Sequence, residues 1–381
     1  MIKSALGIFF SLLIVATPLA HAKEAKTSPK KQTASKTVKK APAKATAAKS
    51  TARKTKTAKK ASAKAPARKN ASLNSKERLV KKTVVVNGKR KTVYQRVAAR
   101  PSLPVVPPVM TAGDLAGLNL TRDPLALASN VALVMDQSDS TVLFEKNANV
   151  TLPIASITKL MTALVVVESH QDMDEILEVT SEDIDREKNS SSRLRVGSRL
   201  SRANMLHIAL MSSENRAASA LGRHYPGGIH AFVSAMNAKA RELGMSGTRY
   251  VDSTGLSSLN VATARDLARL VAHASRHPIL CQYSTDTKYV VDPGGHSLQY
   301  ANSNRLVNNP DWEIGLQKTG YISEAGRCLV MQTNINGRPI VMIFLDSKGK
   351  YSRLGDAQRI RKWIEETQPQ NASRTVRKIE S

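Results

Sequence analysis

From residue 131 onward, apolar positions recur with two different periods, and the switch between them predicts the elements. Alternating runs at 131–136 and 141–146 flank Gln-Ser-Asp-Ser, the signature of an antiparallel hairpin. Runs at 328–335 and 339–345 flank Asn336-Gly337, a dipeptide that suits the two-residue turn whose twist matches paired strands. A run at 313–318 reads as a third strand of that group. Between these sets the apolar residues fall at helical spacing around 157–169, 202–224, 228–243 and 263–274. A last amphipathic helix at about 353–366 offers Leu354, Ile360 and Trp363 to the sheet. Strands at both ends with helices between predict an α+β fold: one antiparallel sheet assembled from distant segments and covered by helices. A mostly helical subdomain would stand beside it, with the active site where the two meet.

The N-terminal part lacks this patterning. Lys3, the apolar run from Ala5 to Ala16 and Ala20-His21-Ala22 have the form of a cleavable export signal over 1–22. That run is too short to span a bilayer, which takes about 20 residues. From 23 to 75 the chain is Lys, Ala, Thr, Ser and Pro with scarcely a large apolar side chain, so it is expected to be a disordered basic segment. Residues 23–100 carry 26 Lys and Arg against 2 Asp and Glu, so most of the net charge of +28 belongs to this one stretch. Such blocks act as spacers or interaction tails. Export directs the expectation to a solvated spacer or to electrostatic contact with the anionic envelope, and no nucleic acid is expected as partner. Two short runs around Asn87-Gly88 predict a small ribbon, and Pro101 to Pro108 a semi-rigid lead-in. The expected organisation is then ribbon and linker over 76–114, a catalytic domain over 115–370 and a tail over 371–381. Cys281 and Cys328 are the only cysteines and show no Cys-x-x-Cys spacing, so neither a zinc site nor a disulfide-dense scaffold is expected, and their pairing stays open.

Three short strings carry the chemistry. Ser156-Ile-Thr-Lys159, Ser213-Glu-Asn215 and Lys318-Thr-Gly320 occur in that order, 57 and 105 residues apart. Ser-x-x-Lys alone says little, since Ser28 and Lys31 show the same spacing. Ser156, however, opens an apolar helical run, which places Lys159 one turn away on the same face. A serine hydroxyl is a weak nucleophile until a base removes its proton, and an uncharged lysine one turn away can do so. Lys159 is therefore expected to have a lowered pKa, through burial and the ammonium of Lys318. Ser213 is expected to relay a proton between Lys159 and the leaving amine, and Asn215 to hold a substrate peptide group. Lys318, at a strand end, would hold a substrate carboxylate or assist proton transfer, Thr319 would hydrogen-bond the same group, and Gly320 would let the substrate backbone approach the strand edge. The N–H groups of Ser156 and Tyr321 would form the oxyanion hole. No Gly-x-Ser-x-Gly or His-Glu-x-x-His string exists, and none of the eight histidines falls within the three strings.

Together with Pro153-Ile-Ala, Ser191-Ser-Arg-Leu-Arg-Val-Gly197, Tyr225-Pro-Gly-Gly and Gln317 to Cys328, these strings make residues 115–370 resemble the low-molecular-mass penicillin-binding proteins of the D-alanyl-D-alanine peptidase family. The endopeptidase branch is the nearest in pattern. The resemblance implies a β-lactamase/transpeptidase-like fold, periplasmic location, acylation of Ser156 by β-lactams as covalent inhibitors, and hydrolysis of D-alanyl bonds in peptidoglycan stem peptides. It implies no metal and no organic cofactor. The basic N-terminal extension departs from the pattern. A D-alanyl-D-alanine carboxypeptidase would use the same residues. A β-lactamase is disfavoured because no Glu-x-x-x-Asn or Glu-x-x-Leu-Asn string lies between Lys159 and Lys318, and a non-catalytic peptidoglycan-binding protein would have no need of the nucleophile and base.

Overall fold

The computed structural model describes residues 77–98 and 110–367. The expected export signal, the basic segment, most of the linker and the tail lie outside the described residues. Within the first stretch, β1 (Glu77–Val86) and β2 (Lys89–Ala98) pair antiparallel around Asn87-Gly88. This ribbon is longer than its apolar runs predict, because interspersed Lys and Arg interrupt the alternation without preventing backbone pairing.

In the second stretch, β3 (Ser129–Asp136), β4 (Val142–Lys146), β5 (Glu313–Ile322), β6 (Gly326–Ile335) and β7 (Arg338–Ser347) form one antiparallel sheet in the order β5-β6-β7-β3-β4. Pairing of β7 with β3, Ile343 opposite Leu133, joins the two ends of the domain. The inner strands are apolar on both faces because both are covered. Val131, Leu133, Val330, Val341 and Ile343 pack into the larger core, while Ala132, Val134, Leu329, Met342 and Phe344 face a second one.

The larger core contains α1 (Thr158–Glu168), buried from Thr158 to Val166 and therefore without a solvent stripe. Around it stand α2 (Arg202–Met211), α3 (Asn215–Arg223), α4 (Gly228–Glu242), α5 (Ala264–Ala274) and α6 (Pro278–Thr285). The opposite face is covered by α7 (Ser352–Thr367), which buries Ile360 and packs Leu354 and Trp363 as its periodicity predicts. Ahead of the sheet, Thr111 caps a helical turn, Ala112–Leu115, and its hydroxyl donates to Asp346 at 2.8 Å.

Two expectations change. Lys318-Thr-Gly320 does not end its strand: β5 continues to Ile322, with Gly320 opposite Cys328 and Tyr321 opposite Arg327. Gly320, inside the strand, meets a close approach from the neighbouring turn. The run 202–224 is two helices, broken at 212–214 where Ser213 has φ 66°. Both cysteines are free, and among the described residues no helix is long and apolar enough to cross a membrane.

Candidate active site

Ser156 lies in a single 3-10 turn, Ala155–Ile157, that runs directly into α1. Ala155, immediately before it, sits at φ 49°, a left-handed conformation that costs an alanine about 1–2 kcal/mol. The surroundings hold it there. Thr158 Oγ1 donates to the Ala155 carbonyl at 2.8 Å, and Asn260 Nδ2 donates to Thr158 Oγ1 at 3.1 Å. Gly255, at φ 79°, backs onto the turn so closely that a Cβ would come within 2.0 Å of the Ala155 oxygen.

Lys159, one turn on, is buried, with Nζ 3.0 Å from Ser156 Oγ. Two N–H bonds of the amine have acceptor-only partners, Asn215 Oδ1 at 2.7 Å and the Thr254 carbonyl at 2.6 Å. In an uncharged lysine the lone pair is then left for Ser156. Burial holds its pKa down to about 8, against the opposing pull of Asp252, Glu214 and Asp185. Burial is thus the depressing cause, and the share expected from Lys318 falls on Lys318 itself. That side chain is fully buried, and burial, then the charges of Lys159 and Arg353, hold it well below the ordinary lysine range.

The second string occupies the break between α2 and α3. Ser213 Oγ accepts from Lys318 Nζ at 2.8 Å, so the structure partners this hydroxyl with Lys318 and not with Lys159. Glu214 caps α3, accepting from the Arg216 N–H at 3.2 Å and from Ser192 Oγ at 2.6 Å. Asn215 spends both ends of its amide inside the protein: Oδ1 on Lys159 and Nδ2 on Ser190 Oγ at 2.8 Å. Its placement here is that of a positioner of Lys159, where the sequence suggested a contact to substrate.

The third string lies on β5, the edge strand, whose outward N–H and C=O groups have no strand partner among the described residues. Thr319 Oγ1 is 2.7 Å from Ser303 Oγ, and Lys318 Nζ also reaches the Thr319 carbonyl at 2.8 Å. At Gly320 a Cβ would stand 3.0 Å from the Ile154 carbonyl oxygen and 3.1 Å from Ser156 N. Absence of that side chain is what lets the strand edge and the N–H of the nucleophile share one space.

That space is a cavity of about 470 Å³, lined by Ser156, Ser190, Ser213, Asn215, Thr319, Gly320 and Tyr321. At its rim the Lys188–Glu324 ion pair joins the loop before Ser190 to the turn after β5. Arg353 also lines it, and this residue was missed in the sequence, where it is merely the start of a helix. Arg353 Nε and Nη1 are buried with no hydrogen-bond partner among the described residues. Buried unpaired guanidinium donors beside Lys318 make a place for a carboxylate.

Jointly these groups can activate a hydroxyl, receive a carbonyl at an edge rich in N–H donors, and neutralise a carboxylate a few ångströms away. Such a set suits acyl transfer at a bond next to an anionic group.

Comparison with known proteins agrees with this geometry. The model of the D-alanyl-D-alanine carboxypeptidase family, peptidase S11, matches residues 119–349. A D-alanyl-D-alanine endopeptidase of Pseudomonas aeruginosa is 50% identical over 252 residues, 66% of this chain and 80% of that protein. The Escherichia coli protein of the same name is 46% identical over 63% of this chain and 78% of its own length. Among solved structures, the Streptomyces K15 DD-transpeptidase superposes with a TM-score of 0.59 at 25% identity, covering 64% of this chain and 98% of that one. Penicillin-binding protein D2 of Listeria monocytogenes, in its ampicillin-bound form, gives 0.56 at 28% identity over 63% and 98%.

Proposed function

The chain belongs to the D-alanyl-D-alanine carboxypeptidase family of serine peptidases, and from that premise we propose that it is an endopeptidase hydrolysing D-alanyl cross-links between peptidoglycan stem peptides. The observation that carries the chemistry is the 3.0 Å contact of Lys159 Nζ with Ser156 Oγ, the other amine positions being filled by acceptors. Lys159 takes the Ser156 proton as the oxygen attacks the D-alanine carbonyl, and the N–H groups of Ser156 and Tyr321 receive the oxyanion. Ser213, fed by Lys318, delivers a proton to the departing amine of the neighbouring stem. Arg353 and Lys318 hold the carboxylate beside that amine. Water then hydrolyses the ester and restores Ser156. A β-lactam presents the same carbonyl and carboxylate, so it acylates Ser156 and stays.

Preference for the cross-link rests on kinship. Relatives at 50% and 46% identity are named endopeptidases, whereas those named carboxypeptidases, among them proteins of Bacillus subtilis and Streptomyces, stand at 28% and 27%. A second reading, the carboxypeptidase, draws on the unfilled donors of Arg353, which suit a terminal carboxylate equally well. We place the reaction in the periplasm, with the export signal removed near Ala22, and assign to the basic segment an electrostatic attraction to anionic wall polymers. Two assays test the whole. Fluorescent penicillin should label the parent and not Ser156→Ala. Purified muropeptide dimers should become monomers; if they persist while free D-alanine alone appears, the carboxypeptidase reading replaces this one.

A further inference from the structure

The end of α1 remote from Ser156 carries a second convergence of functional side chains. Glu168 is its last residue, His273 lies in the last turn of α5, and His277 immediately precedes α6. His273 Nε2 stands 2.8 Å from Glu168 Oε1, and His277 Nε2 stands 3.3 Å from the same oxygen. All three donor atoms fall within 4.8 Å of one another. The imidazole rings are tilted at 52° with centroids 5.8 Å apart and do not stack.

Two further features suit a ligand. The side chains are 23 to 27% exposed, open to an ion from solvent while their backbones are fixed by three helix ends. The other carboxylate oxygen, Oε2, accepts from Lys239 Nζ at 2.7 Å, which orients Glu168 from behind and leaves Oε1 for the imidazoles. Lys239 also reaches Glu242 at 2.7 Å and so keeps a partner if an ion draws on the charge of Glu168. Two imidazole nitrogens and a carboxylate oxygen form the donor set of zinc-class ions, whose bonds of about 2.0–2.2 Å bring ligand atoms to the separations seen here after small rotamer adjustments.

We propose that Glu168, His273 and His277 bind a divalent transition ion of the zinc class, with water completing the coordination, and that the ion ties the end of α1 to the α5–α6 junction. The site takes no part in acyl transfer, since a helix of eleven residues separates it from Ser156 by about 16 Å. Its role is to brace the helix that presents the nucleophile.

The test uses the full chain after chelator treatment. Zinc chloride, titrated calorimetrically, should bind with micromolar affinity and raise the melting temperature, whereas magnesium should do neither. His273→Ala and His277→Ala should each weaken zinc binding at least tenfold and remove the melting shift. Glu168→Gln, which keeps the size of the side chain, should weaken it in the same sense. Penicillin labelling of Ser156 in every variant verifies that it is folded. Absence of binding up to about 100 μM zinc, or binding that survives in the double histidine variant, overturns the proposal.

Discussion

Raising the pH should accelerate acylation of Ser156 along the titration of Lys159, with a midpoint near 8 in the free enzyme. Only the uncharged amine has a lone pair for the serine proton, so the neutral fraction sets the rate. With the pKa at about 8, roughly one molecule in eleven is competent at pH 7; at the ordinary 10.5 it would be roughly one in three thousand. The advantage is about 300-fold, or roughly 3 kcal/mol, and its source is the loss of water around an ammonium held inside the protein. The assay is the second-order rate constant for a fluorescent penicillin between pH 6 and 9.5 at fixed ionic strength. It should rise about tenfold per pH unit below the midpoint and level off above it. Asp252 is the strongest group pulling the pKa back up, so Asp252→Asn should move the midpoint to lower pH. Lys159→Arg should lose about a thousandfold or more at every pH, because a guanidinium does not give up its proton. A flat profile, or one still rising toward pH 10, would refute burial as the means by which this base is prepared.

Arg353→Leu should lower kcat/KM about tenfold or more on peptides with a carboxylate next to the scissile bond, mainly through KM, and leave the melting temperature unchanged or higher, because buried unpaired donors disappear; an equal loss on an uncharged ester substrate would count against a carboxylate role. Gly320→Ala puts a methyl group 3.1 Å from Ser156 N, and should cost about a hundredfold in penicillin acylation with only about 1 kcal/mol of stability by denaturant titration; unaltered acylation would separate that edge from substrate. Asp346→Asn should stabilise the protein by about 1 kcal/mol at pH 8, because burial pushes the Asp346 carboxyl above its ordinary range, Oδ1 has no partner, and asparagine tolerates φ 51° better than most residues. The sign is testable: ionisation of this carboxyl opposes folding above about pH 4, so the gain should shrink as pH falls toward 4, and a variant less stable at pH 8 would contradict it.

How much of this was legible in the chain follows from where the information resides. The β3–β4 and β6–β7 hairpins were visible because alternation and an Asn-Gly or polar turn are local. So was α7, whose apolar stripe needs only its own residues. The two-residue and four-residue strand pairs, Leu152–Pro153 with Val261–Ala262 and Lys288–Val291 with Leu298–Ala301, hold too few positions to establish any period. The eight residues of α6 had the same defect. The three strings, the apolar helical run after Ser156 and the family resemblance together pointed to Ser156, Lys159, Ser213, Asn215 and Lys318, and all of them meet at one cavity or its wall. Arg353 stayed hidden because an unpaired buried guanidinium is a property of what surrounds it, and the preference of Ser213 for Lys318 is likewise set by how β5 lies against the α2–α3 break.

The backbone in or beside each of the three strings meets a special local demand. Ala155 before the nucleophile and Ser213 in the second string adopt left-handed backbone, and Gly320 in the third admits a contact no side chain would allow. The two left-handed positions overrule local preference at about 1–3 kcal/mol apiece, and such places persist only when the rest of the structure over-determines them. Here the over-determination is visible. α1 is buried along nearly its whole length, β5 is pinned to β6 from Glu313 to Ile322, and the Thr158–Asn260 and Lys159–Thr254 bonds lock the turn from behind. A core of that extent can carry the strain of two turns and the desolvation of two lysines together. The fold has thus committed free energy, in two strained turns and two buried lysines, to placing a hydroxyl, an amine and a strand edge within reach of one carbonyl.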